Sequence, residues 1–122
     1  LQKVINKRRE NAKRYIEGID QSKLFIPQEL DHEFNSYHTF VIQTRRRDEL
    51  KSFLSKNGIG SAIHYPIPIH LQPAAKFLGY TKGDFPETES QAGKILTLPV
   101  HQYLDRKMIE NISAEVNQFY DC

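Results

Sequence analysis

Three prolines fall within the nine residues Tyr65-Pro66-Ile67-Pro68-Ile69-His70-Leu71-Gln72-Pro73, and this run constrains the chain more than any other part of it. Each proline fixes φ near −65° and lacks a backbone N–H, so the run can be neither a helix interior nor a central strand. Tyr65, Ile67 and Gln72 precede prolines and are pushed toward extended backbone. The segment is therefore expected to be a stiff, extended loop, with Pro66, Pro68 and Pro73 shaping it.

Regular elements are expected on both sides of this loop. At 100° per residue, Leu1, Val4, Ile5, Ala12, Tyr15, Ile16 and Ile19 share one arc, which predicts an amphipathic helix over residues 1–18 that connects to the rest of the domain. Gly18 is expected to stop it in the left-handed conformation. Arg8 lies in the middle of the apolar arc, so it is expected to rest its stem on the core and pair its head with a carboxylate, or to face a neighbouring domain. Residues 19–37 lack a period and read as a connection, with a short extended piece at Leu24–Ile26.

The body spans residues 38–122. His38–Thr44 and Ile59–His64 read as strands, with a short helix between them that carries Leu50, Phe53 and Leu54 on one face and ends at Asn57-Gly58. After the loop come a helical turn at Ala74–Leu78 and turns at Gly79–Gly83. A helix follows, capped by Asp84, with Pro86 in its first turn and Glu87 reaching back, running to about Lys94. Ile95–Leu98 is a third strand. A last helix starts near Asp105 and buries Met108, Ile109, Ile112, Val116, Phe119 and Tyr120. The expected fold class is α+β, a small mainly antiparallel sheet covered by helices. With 122 residues the chain makes one domain with one core.

Charge and composition exclude several functions. Residues 1–18 hold six Lys/Arg against Glu10 and Glu17, but no aromatic residue is interleaved among them to stack on bases, so the basic face reads as solvated and no nucleic-acid partner is expected. There is no run of about 18 apolar residues and no basic-then-apolar leader, so no membrane partner is expected and the protein is expected in the cytoplasm. The lone Cys122 permits neither an internal disulfide nor a thiolate metal cluster. His64 and His70 lie six residues apart in a segment read as extended, roughly 20 Å at 3.3 Å per residue, so they are not expected to share a metal. No metal site, Gly-rich phosphate loop or nucleophile elbow is present, so no catalytic residue is assigned. The loop instead concentrates His64, Tyr65, His70 and Gln72. Four such groups on a stiff segment form a preorganised set of donors for a ligand, and these four are the candidate substrate-binding residues.

The motifs His64–Pro73, Leu78-Gly79-Tyr80, Gly83-Asp84-Phe85-Pro86 with Glu89, and Ile95-Leu96-Thr97-Leu98-Pro99 closely resemble the carboxy-terminal portion of the DegT/DnrJ/EryC1/StrS sugar aminotransferases. The resemblance extends upstream through Tyr37-His38, Arg46-Arg47-Asp48 and Gly58-Ile59-Gly60 to Lys7-Arg8-Arg9-Glu10, and so covers nearly the whole chain. Ala75, where an aromatic residue is usual, and His101-Gln102, in place of an aromatic-proline pair, depart from the pattern.

The resemblance implies the small domain of a fold-type I enzyme that depends on pyridoxal phosphate. Such an enzyme moves an amino group, usually from glutamate, to a nucleotide-linked keto sugar for glycan or natural-product biosynthesis, and is typically a homodimer. It implies that His64 and Tyr65 contact the substrate's diphosphate or sugar, with His70 and Gln72 nearby or supporting the loop. None of the ten lysines lies in the family's cofactor-lysine motif, so the cofactor is expected to be bound mainly by a large domain outside these residues. The 122 residues alone are expected to be inactive, and the start at Leu1 reads as part of a longer chain. Two alternatives stay open: a dehydratase of the same family, and a free-standing sugar-nucleotide-binding module.

Overall fold

A computed structural model describes residues 1–122 and begins with helix α1, Gln2–Gly18. The helix buries Asn11, Ala12 and Tyr15, while Val4, Ile5 and Arg8 are half-buried and Leu1 is exposed. Only the C-terminal half of the apolar arc is fully covered by the rest of this chain. Arg8 does not find the expected carboxylate. It donates to the carbonyls of His38 at 2.7 Å and Tyr37 at 3.3 Å, because the 35–38 segment returns across α1 and presents free backbone acceptors to the five-donor guanidinium. Arg9 takes the carboxylate instead, binding both oxygens of Glu29 at 2.7 and 3.0 Å.

Gly18 ends α1, though not by the expected left-handed turn. It is still helical, and Ile19 leaves in extended conformation. Glycine also eases a tight contact here: a Cβ would lie 3.1 Å from Ser113 Oγ and 3.2 Å from Ser113 Cβ. Asn117 closes the helix end, donating to the Gly18 carbonyl and accepting the Asp20 N–H, both at 2.9 Å.

Strands β1, Phe40–Gln43, and β2, Ile95–Leu98, pair antiparallel with Phe40 opposite Leu98 and Ile42 opposite Leu96. Single bridges extend this ribbon on both sides, Phe25 to Gln43 and Ala62 to Thr97. The extended piece at Leu24–Ile26 is thus present, and β1 is shorter than the expected 38–44. Ile59–His64 is not a strand. Ala62 alone exchanges hydrogen bonds with Thr97, at 3.1 and 2.7 Å. Gly60 and Ser61 favour a strand poorly, and Pro66 has no N–H with which to continue the ladder.

Phe40, Ile42, Leu96 and Leu98 share one sheet face and are almost fully buried. Helix α2, Arg47–Lys56, lays Leu50 and Leu54 over them, and helix α4, Arg106–Asp121, adds Ile109, Ile112, Val116 and Phe119. Helix α1 packs on α4, so Tyr15 reaches Phe40 with ring centroids 4.9 Å apart and its hydroxyl donates to the Pro99 carbonyl at 2.7 Å. Each fully buried large side chain contributes about 1.5–3 kcal/mol. Helix α4 starts at Arg106, next to Asp105 as expected, and Asp105 caps it, accepting the Met108 N–H at 2.8 Å. Met108 itself is half-exposed rather than buried, because the stripe runs through positions 109, 112, 116 and 119 and position 108 lies 100° away.

The proline segment is not extended throughout. Residues Ile69–Leu71 form a 3₁₀ turn, and Pro73–Leu78 form a second one that ends at left-handed Gly79 (φ +75°). Gln72, before Pro73, keeps the extended geometry (ψ 146°), but Ile69–Leu71 precede no proline and are free to coil. Helix α3, Pro86–Ala92, stops two residues before Lys94, and its N-cap is Phe85. Asp84 does not cap α3. It accepts the Thr81 N–H at 2.7 Å and closes the preceding turn. No helix is long and apolar enough to cross a membrane. The small antiparallel sheet under helices agrees with the α+β reading.

Candidate functional site

The Ala62 bridge delivers His64 to the sheet face opposite the core. There its Nδ1 lies 3.1 Å from Thr97 Oγ1. Alternation along β2 turns Thr97 away from Leu96 and Leu98, and the crossing 62–64 segment covers it to 9% exposure. When the threonine hydroxyl donates to Nδ1, the proton of the neutral imidazole sits on Nε2, and an exposed ring then offers a donor. The His64–Tyr65 peptide is cis, and the two rings meet edge to face at 5.4 Å. Tyr65 is 72% exposed.

The other two loop candidates are engaged within the protein. His70 is buried, its Nε2 lies 3.0 Å from Glu89 Oε1, and its ring packs on Phe85 at 4.7 Å between centroids. The same Glu89 oxygen accepts the Gly83 N–H at 2.8 Å. This N–H and the His70 ring hold the Glu89 carboxyl below its usual range. Gln72 donates to the Ile67 carbonyl at 3.3 Å. The structure thus brings Tyr65 and Gln72 to one cleft of about 260 Å³ between the loop and α3, whose far wall includes Thr88 and Gln91. His64 stands beside Tyr65, and His70 lies underneath as an anchor.

Thr97 is a positioning group that the local sequence marks only faintly. Its signal is a single polar residue in Ile-Leu-Thr-Leu, at the position that alternation turns away from the core. Asn11 was also unforeseen. It is fully buried, donating to the His101 carbonyl at 3.1 Å while its own oxygen has no partner. No group of three or more His, Cys, Asp or Glu side chains converges as a metal site would require.

Known proteins resemble this chain in sequence and in fold. The pleiotropic regulatory protein of Geobacillus stearothermophilus is 32% identical over 123 residues, 98% of this chain and 33% of its own length. The dTDP-3-amino-3,4,6-trideoxy-alpha-D-glucose transaminase of Streptomyces venezuelae is 43% identical over 83 residues, 68% of this chain and 22% of its own. The crystal structure of S. venezuelae DesV in complex with a ketimine intermediate superposes with a TM-score of 0.92 at 30% identity, covering 98% of this chain and 32% of that one. The chain spans no more than about a third of the length of these relatives. Residues 1–117 match the model of the DegT/DnrJ/EryC1/StrS aminotransferase family, to which this chain therefore belongs.

Proposed function

We propose that this chain is the C-terminal small domain of a sugar aminotransferase that uses pyridoxal phosphate to move an amino group, usually from glutamate, to a nucleotide-linked keto sugar, in a parent that is a homodimer. In this reading residues 1–18 connect to a large domain and residues 38–122 close one side of the substrate site. Relatives whose names specify dTDP- and UDP-linked sugar transamination support the reaction class.

The cofactor supplies an electron sink for the carbon that exchanges its amine, and it requires a lysine amine in a desolvated pocket. The residues present do not fit that requirement. None of the ten lysines is buried, so no step is assigned to them and the 122 residues alone are inert. What they contribute is recognition. Tyr65 and Gln72 line the cleft, His64 offers its Nε2 to a phosphate or sugar oxygen, and Thr97 and the His70–Glu89 contact hold the loop in place.

One observation carries the assignment of the loop: on a segment held from beneath by Glu89, His64 and Tyr65 remain exposed while His70 is buried. The test is His64→Ala and Tyr65→Ala in the whole protein, with equilibrium binding of dTDP- and UDP-linked sugars measured beside thermal melting. A loss of affinity of about tenfold or more at nearly constant melting temperature is expected. An equal fall in stability with no specific loss of affinity would return the loop to a purely structural connection.

A further inference from the structure

Four cations, Lys23, Arg45, Arg46 and Lys94, line one cleft of about 510 Å³ where β1 gives way to α2, and no carboxylate is among the lining residues. Like charges gathered this way repel one another unless something neutralises them. Within the chain only Arg46 is held in a salt bridge, although the Asp20 carboxylate also feels the charge of Lys23. The Arg46 guanidinium donates twice to Glu49, at 3.0 and 2.8 Å, and lies 4.3 Å above the Phe119 ring, which fixes its direction. Lys23 and Arg45 form no salt bridge, and the Lys94 ammonium is bonded only to the Ser90 hydroxyl, at 2.7 Å.

A second and independent observation comes from the cleft wall. Thr44 and Tyr120 both line it, and their hydroxyl oxygens lie 2.6 Å apart. Thr44 Oγ1 also accepts the Arg46 N–H at 3.1 Å. The pair owns two hydroxyl hydrogens and uses one between them. The other has no acceptor in the protein, although Thr44 is only 6% exposed. A neutral donor held unspent beside three cations that form no salt bridge suits an acceptor that is itself charged.

We propose that this cleft binds a phosphate-type oxyanion carried by a small phosphorylated ligand. Arg45, Lys23 and Lys94 supply charge, and the Thr44–Tyr120 pair supplies a directed hydrogen bond. Phe25, 56% exposed on the same wall, offers a ring face on which the base of a nucleotide stacks. The inference does not depend on the role proposed for the His64–Pro73 loop.

The experiment is calorimetric titration of the whole protein at low ionic strength, first with inorganic pyrophosphate and then with a nucleoside diphosphate. Saturable binding is expected, weakened about tenfold or more in the double variant Arg45→Gln/Lys94→Gln with the melting temperature nearly unchanged, since Arg45 is exposed and the ammonium of half-buried Lys94 bonds only the Ser90 hydroxyl. Phe25→Ala separates the two ligand sources: selective loss of the nucleoside diphosphate identifies a nucleotide, and equal retention of both anions identifies a phosphate group alone. The same titrations are run in the His64→Ala background, which removes the loop's own phosphate donor, and the binding lost in the double variant should persist there. The proposal is overturned if neither anion saturates, if the double variant binds as tightly as the parent, or if no binding sensitive to Arg45 and Lys94 survives in the His64→Ala background.

Discussion

Glu89 Oε1 lies 3.0 Å from His70 Nε2, so a helix residue holds the recognition loop from beneath by one carboxylate oxygen. That oxygen also accepts the Gly83 N–H, joining the loop, the turn before α3 and α3 itself. The geometry assigns different work to two histidines six residues apart: one anchors, and the other stays exposed.

Acid should loosen this anchor. The Gly83 N–H, together with His70, holds the folded-state value of Glu89 below the ordinary 4.5, so its contribution to stability is fully present above 4.5 and is lost as pH falls through the depressed value. Melting temperature is expected to fall between about pH 5 and pH 3, and Glu89→Gln should flatten that fall while lowering stability at neutral pH. The slope is reduced rather than removed, because Glu10, Asp20 and Glu29 are held low as well, chiefly by side-chain hydrogen bonds to Arg14, Ser22 and Arg9. Melting curves of both proteins across this range make the check.

Thr97→Val keeps the shape and strand preference of the residue but removes the hydroxyl beside His64. Stability should change by about 1 kcal/mol or less. In the whole protein the affinity for a nucleotide-linked sugar should fall as the ring loses its preferred tautomer, with Thr97→Ser restoring it. Nitrogen NMR of the His64 ring should show Nε2–H predominating in the parent and a tautomer mixture in the valine variant.

Gly18→Val should destabilise the domain by roughly 1–3 kcal/mol, because the added carbons meet Ser113 across the α1–α4 contact. Ser113→Gly in the same background should recover part of that loss. Denaturant unfolding of the two variants decides it, and full stability in the single variant would show that the helices separate freely at this point.

The 122 residues mixed with pyridoxal phosphate should give no specific, stoichiometric absorbance band above that of the free cofactor, since no buried lysine is present to hold it. Absorbance titration followed by borohydride reduction and mass measurement checks this. A single lysine labelled at one equivalent would contradict the assignment of the cofactor amine to residues outside this chain.

Elements with strong local signals were legible before the fold was seen. The apolar arc of α1, the stripe of α4 with its start near Asp105, the β-branched and aromatic run around β1, and the stop at Asn57-Gly58 each depend on neighbours within a few residues. The loop too was marked as special by its prolines, although these do not restrain Ile69–Leu71 and a 3₁₀ turn forms there.

Other features depend on what arrives from far along the chain. Arg8 bonds carbonyls about thirty residues away, and Gly18 answers to Ser113 rather than to its own turn. Asp84 was a credible cap until Thr81 claimed it. Composition and periodicity placed His64, Tyr65, His70 and Gln72 on one stiff segment and determined that the chain makes one small α+β domain. Only the tertiary structure separated the exposed His64–Tyr65 pair from the buried His70, because burial is set by Glu89, Phe85 and Thr97, and these partners lie 15 to 33 residues further along the chain.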